Sequence, residues 1–270
     1  MNRPKIYDCI IFYDENLLVN SRFEILDEVV DFFVVCESIY DHRGKNKGIN
    51  FSLKNEKFKK KVRHIIIDHN FPNLNDPWAV ETYQREMLFK GIYDAFPEDL
   101  IMYSDSDEIP NPQVLKNYNL EKKYGIFMMD SYVYKINIHN KYETPWEGTR
   151  ISKKKNLKNF TFLRKKIKKN NLSKSFWKFY IEKNIAIIQN GGWHFNNLYS
   201  ADIISKKLKT FAHREYSSQE FSSIEVIKKK ISSYKDLFNR NHTYEKVSVN
   251  QNFPKFILNN LDLFKNFIEH

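Results

Sequence analysis

With 270 residues, 41% of them hydrophobic and 29% charged, the chain has the composition of a folded globular protein with a substantial core, which excludes disordered, collagen-like and disulfide-stapled classes. No run approaches the roughly 18 apolar residues that span a bilayer, and the N-terminal stretch carrying Asp8 reads as neither signal peptide nor anchor. The net charge of +11 is local, because Gly148 to Ile181 carries twelve basic residues and no acidic one, leaving the rest of the chain near neutrality.

In chain order, apolar runs rich in β-branched and aromatic residues predict strands at Ile6 to Phe12, Phe32 to Cys36, Val62 to Ile67 and Leu100 to Tyr103. Leu18, Ile25, Leu26 and Val29 share one face of a helix expected over Leu17 to Val30, and Asp76-Pro77 starts a second, expected over Trp78 to Ala95. Strands joined by helices imply βαβ units, whose ligands bind beyond the carboxyl ends of the strands. Further strands are expected over Gly125 to Ile136, Phe160 to Leu163 and Ile185 to Ile188, the last leading into Gly191-Gly192-Trp193-His194-Phe195. Helical signals return after Ala201. The expected fold class is therefore α/β, a mixed, mostly parallel sheet flanked by helices, with one domain over residues 1–216 and a helical extension over 217–270 packed on it. Cys9 and Cys36 both lie in apolar runs, which suits a reducing compartment. The expected location is the cytoplasm, at most peripheral to a membrane.

The chemistry concentrates in Leu100-Ile-Met-Tyr-Ser-Asp-Ser-Asp-Glu-Ile-Pro110, where a buried strand ends and three acidic residues follow. Alternation along an extended backbone puts Asp105 and Asp107 on one side, where both can hold one hard divalent cation. An ion held by so few carboxylates keeps positions open for substrate phosphates.

Ser104-Asp105-Ser106-Asp107-Glu108-Ile109-Pro110-Asn111-Pro112 resembles the S-D-x-D-E-I-P-x-P signature of glycosyltransferase family 17. Four further blocks agree in order and spacing. They are Ile6-Tyr7-Asp8-Cys9 leading to Phe12 and Glu15; Asp31 to Ser38 with Gly44-Lys45; Trp78, Glu81, Gln84 and Arg85; and Gly191 to Phe195 followed by Lys207, Phe211-Ala212-His213 and Glu215-Tyr216. The resemblance implies a GT-A-like (Rossmann-like) fold and a metal-dependent inverting transfer. Its donor would be a UDP-sugar, most simply UDP-N-acetylglucosamine, and its acceptor a glycan or lipid-linked saccharide. Asp105 and Asp107 would hold Mn²⁺ or Mg²⁺ against the donor diphosphate. Inversion needs a group to take the acceptor proton; Glu215 and Asp130 lead the candidates, ahead of Glu147 and of Glu108, which can instead brace the metal loop.

Other residues carry paired expectations. His194, after two glycines, is a metal or diphosphate ligand or a histidine bonded within the fold, and Gly191 and Gly192 let backbone approach a phosphate. Glu37 and Ser38 meet the nucleotide or cap a strand end. Arg85 pairs with Asp105 to hold the metal loop or touches the donor. Trp146 and Trp193 stack on sugar or belong to the core, and His213 is functional or a core histidine. Two rival activities stand beside glycosyl transfer: metal-dependent nucleotidyl transfer or phosphodiester hydrolysis, and non-enzymatic binding of nucleic acid or an anionic surface through residues 148–181. No RNP, zinc-finger or helix-turn-helix signature accompanies the basic segment, so contact with an anionic membrane surface is expected ahead of any specific nucleic acid.

Overall fold

The structure, a computed structural model, describes residues 3–116, 118–210 and 216–270. In chain order the main elements are β1 (Ile6–Phe12), α1 (Asn16–Leu26), β2 (Phe32–Ser38), β3 (Val62–Ile67), α2 (Pro77–Glu86), β4 (Leu100–Ser104), β5 (Glu108–Pro110) and α3 (Pro112–Leu115). They continue with β6 (Tyr124–Val133), β7 (Ile138–His139), β8 (Trp146–Lys153), α4 (Phe160–Lys166), β9 (Ile185–Asn196), α5 (Ala201–Thr210), α6 (Gln219–Ser222), α7 (Ile224–Ser232), β10 (Glu245–Lys246) and α8 (Lys255–Asn259). Among the described residues ten strands form one mixed sheet in the order β10-β7-β6-β8-β4-β1-β2-β3, with β9 pairing β6 and β5 off that path.

The first four strands are parallel, as the βαβ reading requires. Both faces of β1, β2 and β4 are covered, which is why they read as nearly continuous apolar runs, whereas the edge strand β3 is only partly buried. Ile6, Ile10, Phe33, Val35 and Met102 face a core shared with Val19 and Phe23 of α1, while Tyr7, Cys9, Val34, Cys36 and Ile101 face a second core shared with Val80 of α2 and Phe160 of α4. The Asp76 carboxylate accepts from Trp78 N at 2.9 Å and caps α2. That helix stops at Glu86 rather than Ala95 and tightens into a 3-10 turn over Met87–Gly91. Gly91 comes so close to β2 that a Cβ there would lie 2.1 Å from Val34 Cγ1.

Phe160 to Leu163 is a correction: it opens α4 and is not a strand. Asn159 Oδ1 accepts from Phe162 N at 2.6 Å, and the Glu86 carboxylate at the end of α2 accepts from Phe160 N at 3.2 Å and Thr161 N at 2.8 Å. Three first-turn N–H groups are thereby satisfied, two of them by a residue far away in sequence.

β9 is longer than expected and runs through both glycines. Its register with β6 shifts between Ile188 and Gly192, with Asn190 at φ 51°. The bulge admits β5 on the other edge, so that Glu108 and Ser131 flank His194 in register. Gly192 has φ +136°, and a Cβ there would sit 2.1 Å from the Ile109 carbonyl oxygen; one on Gly191 would meet the Phe127 and Met128 backbone at 2.7 to 2.8 Å. The segment beyond residue 216 adds short helices and β10, and Phe253, Ile257 and Phe264 pack against Trp193, Tyr132 and Ile109. No helix among the described residues is long and apolar enough to cross a membrane.

A Gly192→Ala substitution should cost about 3 kcal/mol, because both the backbone angle and the contact oppose a Cβ. Gly48→Ala, at φ +73° but with nothing within 4 Å, should cost only about 1 kcal/mol. Urea unfolding of the two variants measures the difference, and equal losses would show that the β5–β9 approach is not what requires glycine.

Candidate active site

Behind the acidic loop lies a buried ion pair. Arg22 of α1 donates through Nε to Asp8 Oδ2 at 2.5 Å and through Nη2 to Asp8 Oδ1 at 2.6 Å, with neither side chain more than 1% exposed. The same guanidinium reaches Ser104 Oγ at 2.8 Å and the Glu108 carbonyl, and so ties β1, β4 and β5 together. Ser104 Oγ in turn shares a hydrogen bond with Thr149 Oγ1 of β8 at 2.6 Å.

In front of this brace the three acidic side chains have different surroundings. Glu108 is wholly buried: Oε1 accepts from Trp146 Nε1 at 2.8 Å and Arg164 Nη2 at 2.9 Å, and Oε2 accepts from Asp105 N at 3.2 Å. Asp105 Oδ1 accepts from the Tyr103 hydroxyl at 3.2 Å, and its Oδ2 pairs with Arg164 Nη2. Asp107 accepts Phe195 N at 2.9 Å on its backbone carbonyl, while its Oδ1 lies 3.7 Å from His194 Nε2. The His194 ring stacks on Trp146 at 4.6 Å and 20°, and among the described residues its buried Nδ1 has no hydrogen-bond partner.

These surroundings set the charges. Burial would raise the Asp105 carboxyl, but Arg164, Arg85 and the Tyr103 hydroxyl outweigh it and hold the group below its ordinary value. Burial raises both Asp107 and Glu108, against the opposing pull of His194 and Lys207 on the first and of Arg164 on the second. Arg164 itself loses proton affinity to burial and regains more from Asp105 and Glu108, so it stays charged.

Asp105, Asp107 and His194 line one cleft of about 450 Å³. Its other walls include Trp78, Glu81 and Gln84 of α2, Glu15 after β1, Lys207 of α5, Trp146, and the Glu143–Arg240 pair at 2.8 Å. Among the described residues no three His, Cys, Asp or Glu side chains form a complete cage for a metal. Two carboxylates with an imidazole alongside suit a hard cation that leaves coordination positions to its substrate, and the Asp107 carboxylate has no hydrogen bond among the described residues.

Other expected residues take different places. Arg85 pairs with Glu81 rather than Asp105 and lies over the Tyr103 ring at 5.3 Å, so it acts on Asp105 at one remove. Glu37 is wholly buried and anchors the next loop, accepting from Lys47 Nζ at 2.7 Å, Asn50 N at 2.6 Å and Phe51 N at 3.1 Å, with His64 Nε2 at 3.2 Å. Ser38 Oγ accepts from Tyr40 N at 3.0 Å. Neither residue lines the cleft, nor do Gly191 and Gly192, whose observed role is the close approach of β9 to β5 and β6. Asp130 is exposed on β6 away from the cleft. Trp193 is buried and donates to the Asn252 carbonyl at 2.8 Å. Glu215 and His213 lie outside the described residues. The residues that sequence reasoning missed are Arg22 and Arg164. The first shows only as a cation on a largely apolar helix, and the second stands as one of twelve cations in the basic segment, with nothing local to set it apart.

A family model described as Glycosyltransferase family 17 matches residues 1–265. The chain is similar to the beta-1,4-mannosyl-glycoprotein 4-beta-N-acetylglucosaminyltransferase of Rattus norvegicus, at 32% identity over 39% of this chain and 22% of that protein. The protein of the same name from Homo sapiens is 34% identical over 34% of this chain and 19% of its own length. The matched segment is thus about a fifth of each relative. Among solved structures, glucosyl-3-phosphoglycerate synthase from Mycobacterium tuberculosis in complex with Mn²⁺ and UDP-glucose has a TM-score of 0.39 at 12% identity, covering 76% of this chain and 78% of that one. A glycosyltransferase involved in glycosylation of the PBCV-1 major capsid has a TM-score of 0.32 at 10% identity, over 69% and 82%. Both similarities are too distant to carry a ligand or an activity across.

An Arg164→Met variant should be less stable than the parent, with the gap full at about pH 7 and narrowed at about pH 3. Asp105 has a lowered folded value, so its pairing stabilises the parent above the ordinary carboxyl range and is lost on acidification. The variant never has that contribution. Urea unfolding at both pH values checks this, and a gap independent of pH would mean that Arg164 acts by packing alone.

Proposed function

Because the chain belongs to glycosyltransferase family 17, we propose that this cleft transfers a sugar from a UDP-sugar to a hydroxyl of a glycan or lipid-linked saccharide in one inverting displacement. The names of the curated relatives favour N-acetylglucosamine as that sugar. The observation that supports the reading is that Asp105, Asp107 and His194 all line one cleft whose volume suits a small-molecule ligand.

In the displacement the acceptor oxygen bonds to the anomeric carbon as the bond from that carbon to the diphosphate oxygen breaks, and the acceptor proton passes to a carboxylate. Asp105 and Asp107 would hold Mn²⁺ or Mg²⁺ with His194 beside them, and the ion supplies charge neutralisation for the departing diphosphate. Arg164 adds a fixed cation beside Asp105, held there by Glu108. Glu108 has both oxygens engaged, Asp130 faces away and Glu147 accepts from Arg150 and from Lys169 N, so of the four candidate bases Glu215 is the one proposed. Glu15, Glu81 and Glu143 line the cleft, but each is already bonded: Glu15 to backbone N–H groups, Glu81 to Arg85 and Glu143 to Arg240.

Calorimetric titration of UDP into the protein should show binding that needs Mn²⁺ and disappears in an Asp105→Asn, Asp107→Asn double variant. Undiminished binding to that variant in the same metal would place the donor elsewhere. Glu215→Gln should bind UDP as the parent does yet transfer sugar about a hundredfold more slowly or worse. Parental turnover would remove Glu215 from the mechanism.

A further inference from the structure

We infer that the loop from Leu172 to Ile181 docks the protein onto an anionic lipid bilayer. In this loop Phe176, Trp177, Phe179 and Tyr180 are 65%, 70%, 84% and 83% exposed, and Leu172 is 44% exposed. Aromatic side chains offer on the order of 150–250 Å² each, so four of them at these exposures leave several hundred Å² of ring surface in water, at the upper limit for a soluble monomer.

The rings are presented on a closed loop. At its base Asn171 Nδ2 donates to the carbonyls of Lys166 at 2.7 Å and Glu182 at 3.0 Å, and Lys183 Nζ donates to the Ser175 carbonyl at 2.6 Å. Within it, Lys178 N reaches the Ser175 carbonyl at 3.1 Å and Ile181 N the Lys178 carbonyl at 3.0 Å. The Phe176 and Trp177 rings lie 4.1 Å apart. Backbone turns hold the loop shut, so the aromatic side chains point outward without a core beneath them.

The charges around the rings select the partner. Lys166, Lys168 and Lys169 are exposed at the base and Lys174 and Lys178 within the loop, in a stretch without acidic residues from Gly148 to Ile181. Aromatic rings settle at the boundary between head groups and acyl chains, while lysines extend their charges to anionic head groups. A single-stranded nucleic acid would also meet lysines and rings, but it needs a positive groove that tracks its phosphates. The concavity beside the loop is lined by Glu147, Asn170, Leu172, Ser173 and Ile187, with Lys169 its one cation among the described residues. This inference rests on the loop alone and stands apart from the reading of the cleft.

The test is flotation of the full chain with phosphatidylcholine vesicles, with and without phosphatidylserine. Binding should require phosphatidylserine and weaken with salt. Lys174→Ala with Lys178→Ala should lower it roughly thirtyfold, from about fivefold for each lysine. Replacing Phe176, Trp177, Phe179 and Tyr180 by Ser should lower it at least roughly tenfold, the equivalent of one buried ring, with the circular dichroism spectrum unchanged because all four are exposed. Brominated acyl chains should quench tryptophan fluorescence in the parent and not in Trp177→Phe, a change small enough to preserve the loop. The inference is overturned by absence of vesicle binding, by equal binding to neutral vesicles, by unchanged binding or quenching in the ring variants, or by a single-stranded oligonucleotide being bound while vesicles are ignored.

Discussion

Four acidic side chains, Asp8 within β1, Asp105 and Asp107 just after β4, and Glu108 at the start of β5, gather together, and the surrounding structure is arranged around neutralising them. Two unit charges 4 Å apart interact by about 4 kcal/mol at the effective dielectric near a protein surface. A cluster of carboxylates at a buried strand end therefore requires cations close by. Arg22 supplies one from behind, as a bidentate partner of Asp8 with its remaining donors on Ser104 and the Glu108 carbonyl. Arg164 supplies the other from the front, bridging Asp105 and Glu108. Asp107 is left lining the cleft 3.7 Å from His194, and among the described residues its carboxylate, unlike those of Asp105 and Glu108, accepts no hydrogen bond.

This division of labour depends on backbone geometry elsewhere. Arg164 arrives because α4 is capped jointly by Asn159 and by Glu86, so the end of one helix fixes the start of the next. His194 arrives because β9 bulges at Asn190 and passes through two glycines, whose missing Cβ atoms let β5 and β6 close on it. Trp146 links the two systems, bonding Glu108 and stacking on His194. The basic segment consequently has two characters. Arg164 sits among the carboxylates, and Arg150 is buried with its guanidinium on the backbone carbonyls of Glu147, Gly148 and Ile167, where burial and the nearby Arg164 lower its pKa to about 10. Its later lysines stay in solvent.

Much of this was legible in the amino-acid sequence. Apolar runs located β1, β2 and β4 because a strand buried on both faces has no polar alternation to obscure it, and the acidic triplet directly after Tyr103-Ser104 marked the strand end where such sheets bind ligands. Glu37 shows the limit of that reasoning. It too ends a strand, yet its oxygens are taken by a lysine, a histidine and two backbone N–H groups from the loop that follows. Strand-end position is a local property, whereas the availability of a carboxylate depends on what packs over it.

Sequence alone determined that β1 to β4 are strands, that Asp76 caps a helix and that Asp105 and Asp107 follow directly on a strand end, because each follows from periodicity and from groups a few residues apart. Tertiary structure decided which cation meets which carboxylate. Arg85, the nearer candidate in sequence, is held by Glu81 one helical turn away, and Arg164, 59 residues beyond Asp105, takes the place expected of it. It also decided that Phe160 to Leu163 is helical, since two of the three first-turn N–H groups that are capped there find their acceptor on α2. A four-residue apolar run fits either conformation, and satisfaction of its end groups by a distant side chain settles which one forms.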